Sequence, residues 1–148
     1  LRRIIWLSRS SGTPLVLVVP AGCQTSSEKG QCRPLGNCEA GKACARKDYD
    51  LGMQLVGSEP SEARKYLDSA LDADSVPLRI PTYAQDLVRR LAAETGTVLV
   101  DAPLLLPRED GVDLVSGEMF HDHVHLSGKG QHALAGLIAP AVRGVIGK

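Results

Sequence analysis

Two short apolar runs, LVLVV at 15–19 and VLV inside TVLVDAP (97–103), constrain this chain's fold more than anything else in it. Each is continuously apolar instead of alternating, which suits a strand covered on both faces, as strands inside a parallel sheet are. A helical pattern and a break precede both. Residues 1–10 (LRRIIWLSRS) put Ile4 and Ile5, with Leu1 or Ser8, at helical spacing before Gly12-Thr13-Pro14. After Pro77 and Pro81, a helix expected from Tyr83 to about Thr95 lines up Ala84, Leu87, Val88, Leu91 and Ala92, and Gly96 ends it. Helix, break and strand in repetition are the order of an α/β fold.

Between the two strands the pattern changes. Residues 21–44 show no periodicity and read as a long surface insertion. Residues 45–57 are helical in their spacing (Ala45, Tyr49, Met53, Val56) and close on Gly57, a residue helix C-caps favour. A second helix restarts at Ser58-Glu59-Pro60-Ser61, with Ala63, Tyr66, Leu67, Ala70 and Leu71 on one face. The antiparallel pair expected over 45–74 resembles a single tetratricopeptide unit in its placing of Tyr, Gly and Ala. One such unit cannot bury its own apolar face and no second copy follows, so the pair reads as a helical insertion packed on the main domain. Residues 104–118 read as loop. From Ser127 a closing helix carries Leu134, Leu137, Ile138, Ala141, Val142 and Val145, with Pro140 expected to kink it.

At 148 residues the chain is one domain by length, with enough sequence to bury a core of its own. Its 17 basic and 17 acidic residues cancel, no basic stripe is present, and five aromatics offer no stacking platform. A nucleic-acid partner is therefore not expected. No apolar run approaches the roughly 18 residues of a membrane span. Cys23, Cys32, Cys38 and Cys44 fall in one polar stretch, with gaps that do not match the paired C-x2-C of structural zinc sites. An even count in a loop favours one or two disulfides and leans toward an oxidising, extracytoplasmic compartment. The alternative is four thiols in a cytosolic insertion, and three full pairings are open.

Three of the four histidines lie in MFHDHVHLSGKG, 119–130. On a strand, His121, His123 and His125 would share one face and could put two imidazoles on a zinc ion. The flanking Phe120 and Leu126-Ser127-Gly128 instead indicate a short loop entering a helix, and the chain offers no further ligands near by. No metal and no cofactor are therefore expected. Acid-base chemistry fits better. Asp122 precedes His125 by three, a spacing that in a tight turn folds the carboxylate back onto the imidazole. A carboxylate on one ring nitrogen fixes the tautomer and leaves the other free to take a proton from a hydroxyl. By itself Asp-x-x-His is a weak signal, since such a histidine commonly caps a helix or sits on the surface. Ser127 occupies an N-cap position, where its hydroxyl serves a backbone amide better than it serves as a nucleophile. His121 and His123 read as rim or surface residues, His132 as solvent-facing, and Asp101, at a strand's carboxyl end, as a loop cap more than a site residue. Gly128 and Gly130 either let the turn pass close to the sheet or only loosen it.

The order LVLVVP, RRLAAETGTVLVDAP, MFHDHVHLSGKGQHALAGLIAPAV resembles the C-terminal part of SGNH/GDSL-type hydrolases, especially a subgroup with a tetratricopeptide-like helical insertion. The resemblance is good over 1–20 and 60–148 and poor across the cysteine segment. It implies an α/β fold, the three-layer flavodoxin-like SGNH-hydrolase sheet in its C-terminal portion, with residues 1–148 as one partial domain, a cysteine-containing loop insertion at 21–44 and a helical hairpin at 45–74. It also implies an Asp-x-x-His motif at Asp122 and His125, with His125 as general base and Asp122 as its orienting carboxylate. The substrate would be a small-molecule ester or an acylated carbohydrate. The family's nucleophile stands in a Gly-Asp-Ser segment, and a glycine and an asparagine complete its oxyanion hole. Here there is no Gly-Asp-Ser, and the one asparagine, Asn37, lies among the cysteines. The expectation is a C-terminal fragment of an ester hydrolase whose nucleophile and oxyanion donors lie upstream of Leu1. The alternatives are a non-catalytic binding or scaffold remnant of a hydrolase, and a metal-binding protein using the three clustered histidines.

Overall fold

A computed structural model describes residues 1–26, 31–38, 44–108 and 113–147. The parts of the cysteine segment at 27–30 and 39–43, and of the expected loop at 109–112, lie outside the described residues.

The two apolar runs form β1 (Val16–Val19) and β2 (Val98–Asp101), which pair in parallel from Val16 against Val98 to Val19 against Asp101. The same device leads into each strand. Helix α1 (Arg2–Ser11) ends on Gly12 at φ 67°, and the helix before β2, Thr82–Thr95, ends on Gly96 at φ 59°. At both glycines the left-handed conformation, which lacks a Cβ clash only for glycine, lets two successive N–H groups bond back into the last turn. Gly12 and Thr13 donate to Arg9 and Ser8, and Gly96 and Thr97 donate to Ala93 and Ala92.

Between the strands stand α2 (Ala45–Leu55), α3 (Pro60–Asp72) and the helix already given, α4 (Thr82–Thr95); after β2 come α5 (Ala102–Leu105), a 3-10 turn (Gly117–Met119) and α6 (Gly128–Ile146). Ile5 of α1 and Val88 and Ala92 of α4 pack on Leu17 and Val19, so these two helices cover one face of the strand pair. Alternation turns Val16, Val18 and Val100 to the opposite face, and α6 closes against both strands. The helical hairpin belongs to a second core. Tyr49, Leu67 and Ala70 join Leu106, Leu114, Met119 and Phe120 there, with Leu134 and Leu137 of α6 against them. A Cβ on Gly52 would sit 2.7 Å from Leu67 Cγ, so glycine is what lets α2 lie close on α3. Leu67 is almost wholly buried, a placement that stabilises by about 1.5–3 kcal/mol.

Several expectations from the sequence need correction. The span 104–118 is not all loop, because α5, the 3-10 turn and an antiparallel bridge between Arg108 and Val115 lie within or across it. On α1 only Ile5 is buried, while Leu1, Ile4, Trp6 and Leu7 are each half or more exposed. The largest difference is in the cysteine segment. Its lack of periodicity reads as surface, yet Cys23, Thr25, Cys32 and Pro34 are fully buried. Loops avoid the interior because their backbone polar groups go unsatisfied there. Here the buried Arg79 guanidinium donates to the carbonyl oxygens of Cys23 and Cys32, both at 2.8 Å, which removes that obstacle at these two residues. Disulfides join Cys23 to Cys32 and Cys38 to Cys44.

Candidate active site

The Asp-x-x-His motif lies on a bend and not on a strand. Phe120 and Leu126 form an isolated antiparallel bridge, and the His121 N–H donates to the His125 carbonyl at 2.8 Å, closing the turn between them. Asp122 makes the turn. Its Oδ1 accepts from the backbone N–H of Val124 at 2.9 Å and of His125 at 2.8 Å, the way Asp and Asn side chains imitate a backbone turn. Its other oxygen, Oδ2, lies 2.7 Å from His125 Nδ1.

That geometry fixes the protonation pattern. The two amides, first that of His125 and then that of Val124, followed by the imidazole, hold the Asp122 carboxyl well below the usual carboxylate range. An ionised carboxylate only accepts, so Nδ1 carries the proton, and in the neutral form of the ring the lone pair is on Nε2, which faces outward. Nε2 makes no hydrogen bond among the described residues, and the His125 side chain is 78% exposed. The pair is therefore an oriented base with an open face.

The hairpin sits beside the carboxyl end of β1, where α/β sheets bind ligands. Four residues after Val19, the Cys23 N–H donates to the His123 carbonyl at 3.0 Å. His123 Nε2 lies 2.7 Å from the Arg33 carbonyl, and Gln31 Nε2 donates to the Phe120 carbonyl at 2.6 Å. The hairpin thus rests on the loop that the Cys23–Cys32 disulfide closes.

The other sequence candidates separate cleanly. His123 is half-buried, and its ring Nε2 meets the Arg33 carbonyl. His121 and His132 are exposed. Ser127 caps α6, accepting from Gly130 N at 3.2 Å and donating to the Glu118 carbonyl at 2.8 Å. Its hydroxyl is engaged on both sides. Asp101 is gripped through both oxygens by Arg89 of α4, at 2.6 and 3.1 Å, and does not join the hairpin. Because 121–125 is a bend, the three histidines do not share one face of a strand. Among the described residues no group of three or more His, Cys, Asp or Glu lies close enough to hold a metal ion. A cavity of about 360 Å³ between α3, α4 and Leu114–Val115 excludes the Asp122–His125 pair. Its charges answer one another: Arg64 meets Asp68 at 2.9 Å and Arg89 meets Asp86 at 2.8 Å. This cavity and the Asp122–His125 pair therefore lie in different places, and the chemistry of the pair decides the candidate site.

The glycines after the hairpin differ in kind. A Cβ at Gly130 would collide with the Met119 carbonyl oxygen, while one at Gly128 would meet nothing within 4 Å. Gly130→Ala is expected to destabilise by about 1–3 kcal/mol through forced displacement of the α6 start. Gly128→Ala should instead stabilise by about 0.5–1 kcal/mol, since alanine loses less freedom in a helix. Urea midpoints of the two variants check this.

Comparisons with protein-family models, curated proteins and solved structures find no match to this chain. Among the described residues no helix is long and apolar enough to cross a membrane.

Proposed function

We propose that Asp122 and His125 are the base half of a serine-hydrolase triad acting on ester bonds, either acyl esters or acetylated carbohydrates, with the serine contributed by chain outside these 148 residues. One observation carries this reading. Asp122 Oδ2 on Nδ1, at 2.7 Å, orients an imidazole whose Nε2 faces solvent at the carboxyl end of a buried parallel strand. In the reaction Nε2 takes the proton of the serine hydroxyl as its oxygen attacks the ester carbonyl, and then returns that proton to the leaving alcohol. Asp122 stabilises the imidazolium formed between these steps. Backbone amides near the serine, with an asparagine, would hold the developing oxyanion. Water, activated by the same His125, then releases the acid.

A three-layer flavodoxin-like sheet is part of the proposal, with β1 and β2 as two of its parallel strands. The parallel pairing and the helices packed against the strands support it. Two disulfides favour an oxidising compartment for the protein.

The proposal has a direct test. The 148-residue chain alone is expected to leave hydrolysis of a short-chain aryl ester at its background rate, because a triad without its nucleophile loses most of its catalysis. The coding sequence upstream of Leu1 should carry an apolar strand followed by Gly-Asp-Ser, and the polypeptide that includes it should hydrolyse the ester. Turnover by the 148 residues alone that vanishes in His125→Ala would place the nucleophile inside them. An upstream sequence without such a serine would remove the triad.

A further inference from the structure

We infer that His123 is a positioning residue that sets the Asp122–His125 pair on the disulfide loop. The catalytic consequence of this rests on the proposed ester hydrolysis; the structural consequence does not.

His123 is anchored to the disulfide loop through both backbone and side chain. Its carbonyl accepts from Cys23 N at 3.0 Å, and its ring Nε2 meets the Arg33 carbonyl at 2.7 Å. A carbonyl oxygen only accepts, so the Nε2 of His123 carries a proton and donates. The two anchors stand on opposite arms of one covalent loop, because Cys23 is bridged to Cys32, the residue before Arg33. The second anchor is itself held: the Arg33 guanidinium forks onto Asp50 of α2 at 3.0 and 2.7 Å. A continuous brace therefore runs from α2 through Arg33 and His123 to the tip of the hairpin.

The tip needs such a brace. The Asp122 and His125 side chains are 50% and 78% exposed, so little packing restrains them. The Phe120–Leu126 bridge and the bond from Gln31 to Phe120 fix the base of the bend, and the Cys23 N–H on the His123 carbonyl gives its tip one backbone anchor. With the His123 ring removed, the tip keeps that single anchor and can pivot about it. The Asp122 carboxylate then competes with water for Nδ1, and the imidazole no longer keeps its proton there. The direction of Nε2 toward an incoming hydroxyl is lost with it, and misplacement by about 1 Å can lower a rate by about 10²-fold.

The test uses the ring ¹⁵N shifts of His125, read at a pH where its imidazole is neutral. In the unaltered chain these should report the Nδ1–H form. His123→Ala should shift His125 toward a mixture with the Nε2–H form while the far-ultraviolet circular dichroism stays native. His123→Gln, whose amide can donate to the same carbonyl, should restore the Nδ1–H form, and His121→Ala should leave it unchanged. Where His123→Ala does not fold, His123→Phe, which keeps bulk and lacks the donor, carries the same comparison. In the active polypeptide, His123→Ala should lower kcat by about 10- to 100-fold with KM little changed, and His123→Gln should recover most of it. A His125 ring that stays Nδ1–H in both His123→Ala and His123→Phe overturns the inference, as does failure of His123→Gln to restore it. The ¹⁵N readout needs no substrate, so the inference can fail while ester hydrolysis stands, and can hold if ester hydrolysis is lost.

Discussion

On the proposed triad, in a polypeptide that includes the serine, His125→Ala is expected to lower kcat for a short-chain aryl ester by about 10⁴- to 10⁶-fold, while KM moves little. The span follows from triads acting as units, in which losing one essential member removes nearly everything that members and nucleophile achieve together. Asp122→Asn is the more informative change. An asparagine keeps an oxygen for the Val124 and His125 amides that Oδ1 now receives at 2.9 and 2.8 Å, so the turn survives. Toward Nδ1, however, it presents an N–H₂ group where the carboxylate presented an acceptor. The imidazole must then carry its proton on Nε2, and the lone pair that should take the serine proton is gone. A loss of about 10⁴-fold in kcat is expected, with thermal unfolding near that of the unaltered protein. Steady-state kinetics of the two variants beside their melting curves separate chemistry from folding. Retention of activity within a few-fold in Asp122→Asn would mean that the pair only shapes a turn.

How far the sequence reaches depends on whether a feature is local. Gly96 after a stripe of Leu87, Val88, Leu91 and Ala92 announces α4 and β2 because the left-handed cap, the helical period and the apolar strand all act within a few residues of each other. The Asp122–His125 contact is readable for the same reason, since a separation of three in a bend brings the two side chains within reach of each other. Cys23 and Cys32 lie in the interior although their segment reads as surface, because what buries them is remote in sequence. The guanidinium that satisfies their carbonyls belongs to Arg79, in a stretch between two prolines with no helical or strand period. The His123 ring bond spans 90 positions, and nothing at either end marks it. On α1 the spacing of Leu1, Ile4 and Ile5 describes an apolar face correctly, yet only Ile5 meets the strands. A periodic pattern says which side chains share a face; it does not say that another element covers that face.

Arg79→Ala should be the most destabilising single substitution described for this chain, by about 3–5 kcal/mol, out of a total that for a domain of this size is on the order of 5–15 kcal/mol. Arg79 and Asp74 side chains are 2% and 3% exposed, with Nη2 and Oδ2 at 3.4 Å. Burial pushes the guanidinium pKa down, and the Asp74 carboxylate opposes that. The pair is more than an ion pair, however. Arg79 also donates to the Cys23 and Cys32 carbonyls, while Asp74 Oδ1 accepts from the Gly36 and Val76 amides at 3.0 and 3.1 Å. Four backbone groups from three separate segments thus depend on two charged side chains. Removing Arg79 strands two buried carbonyls and leaves Asp74 charged with no cation, and each of these outcomes is unfavourable in a dry interior. Replacing a simple buried ion pair with apolar residues on both sides often restores stability. Here Arg79→Met combined with Asp74→Leu should recover little, because the four backbone groups would remain without partners. Urea midpoints of the two single variants and the double variant measure this directly. A double variant as stable as the unaltered chain would show that the charges only answer each other, and that the disulfide loop beneath the Asp122–His125 hairpin is held in place by packing instead.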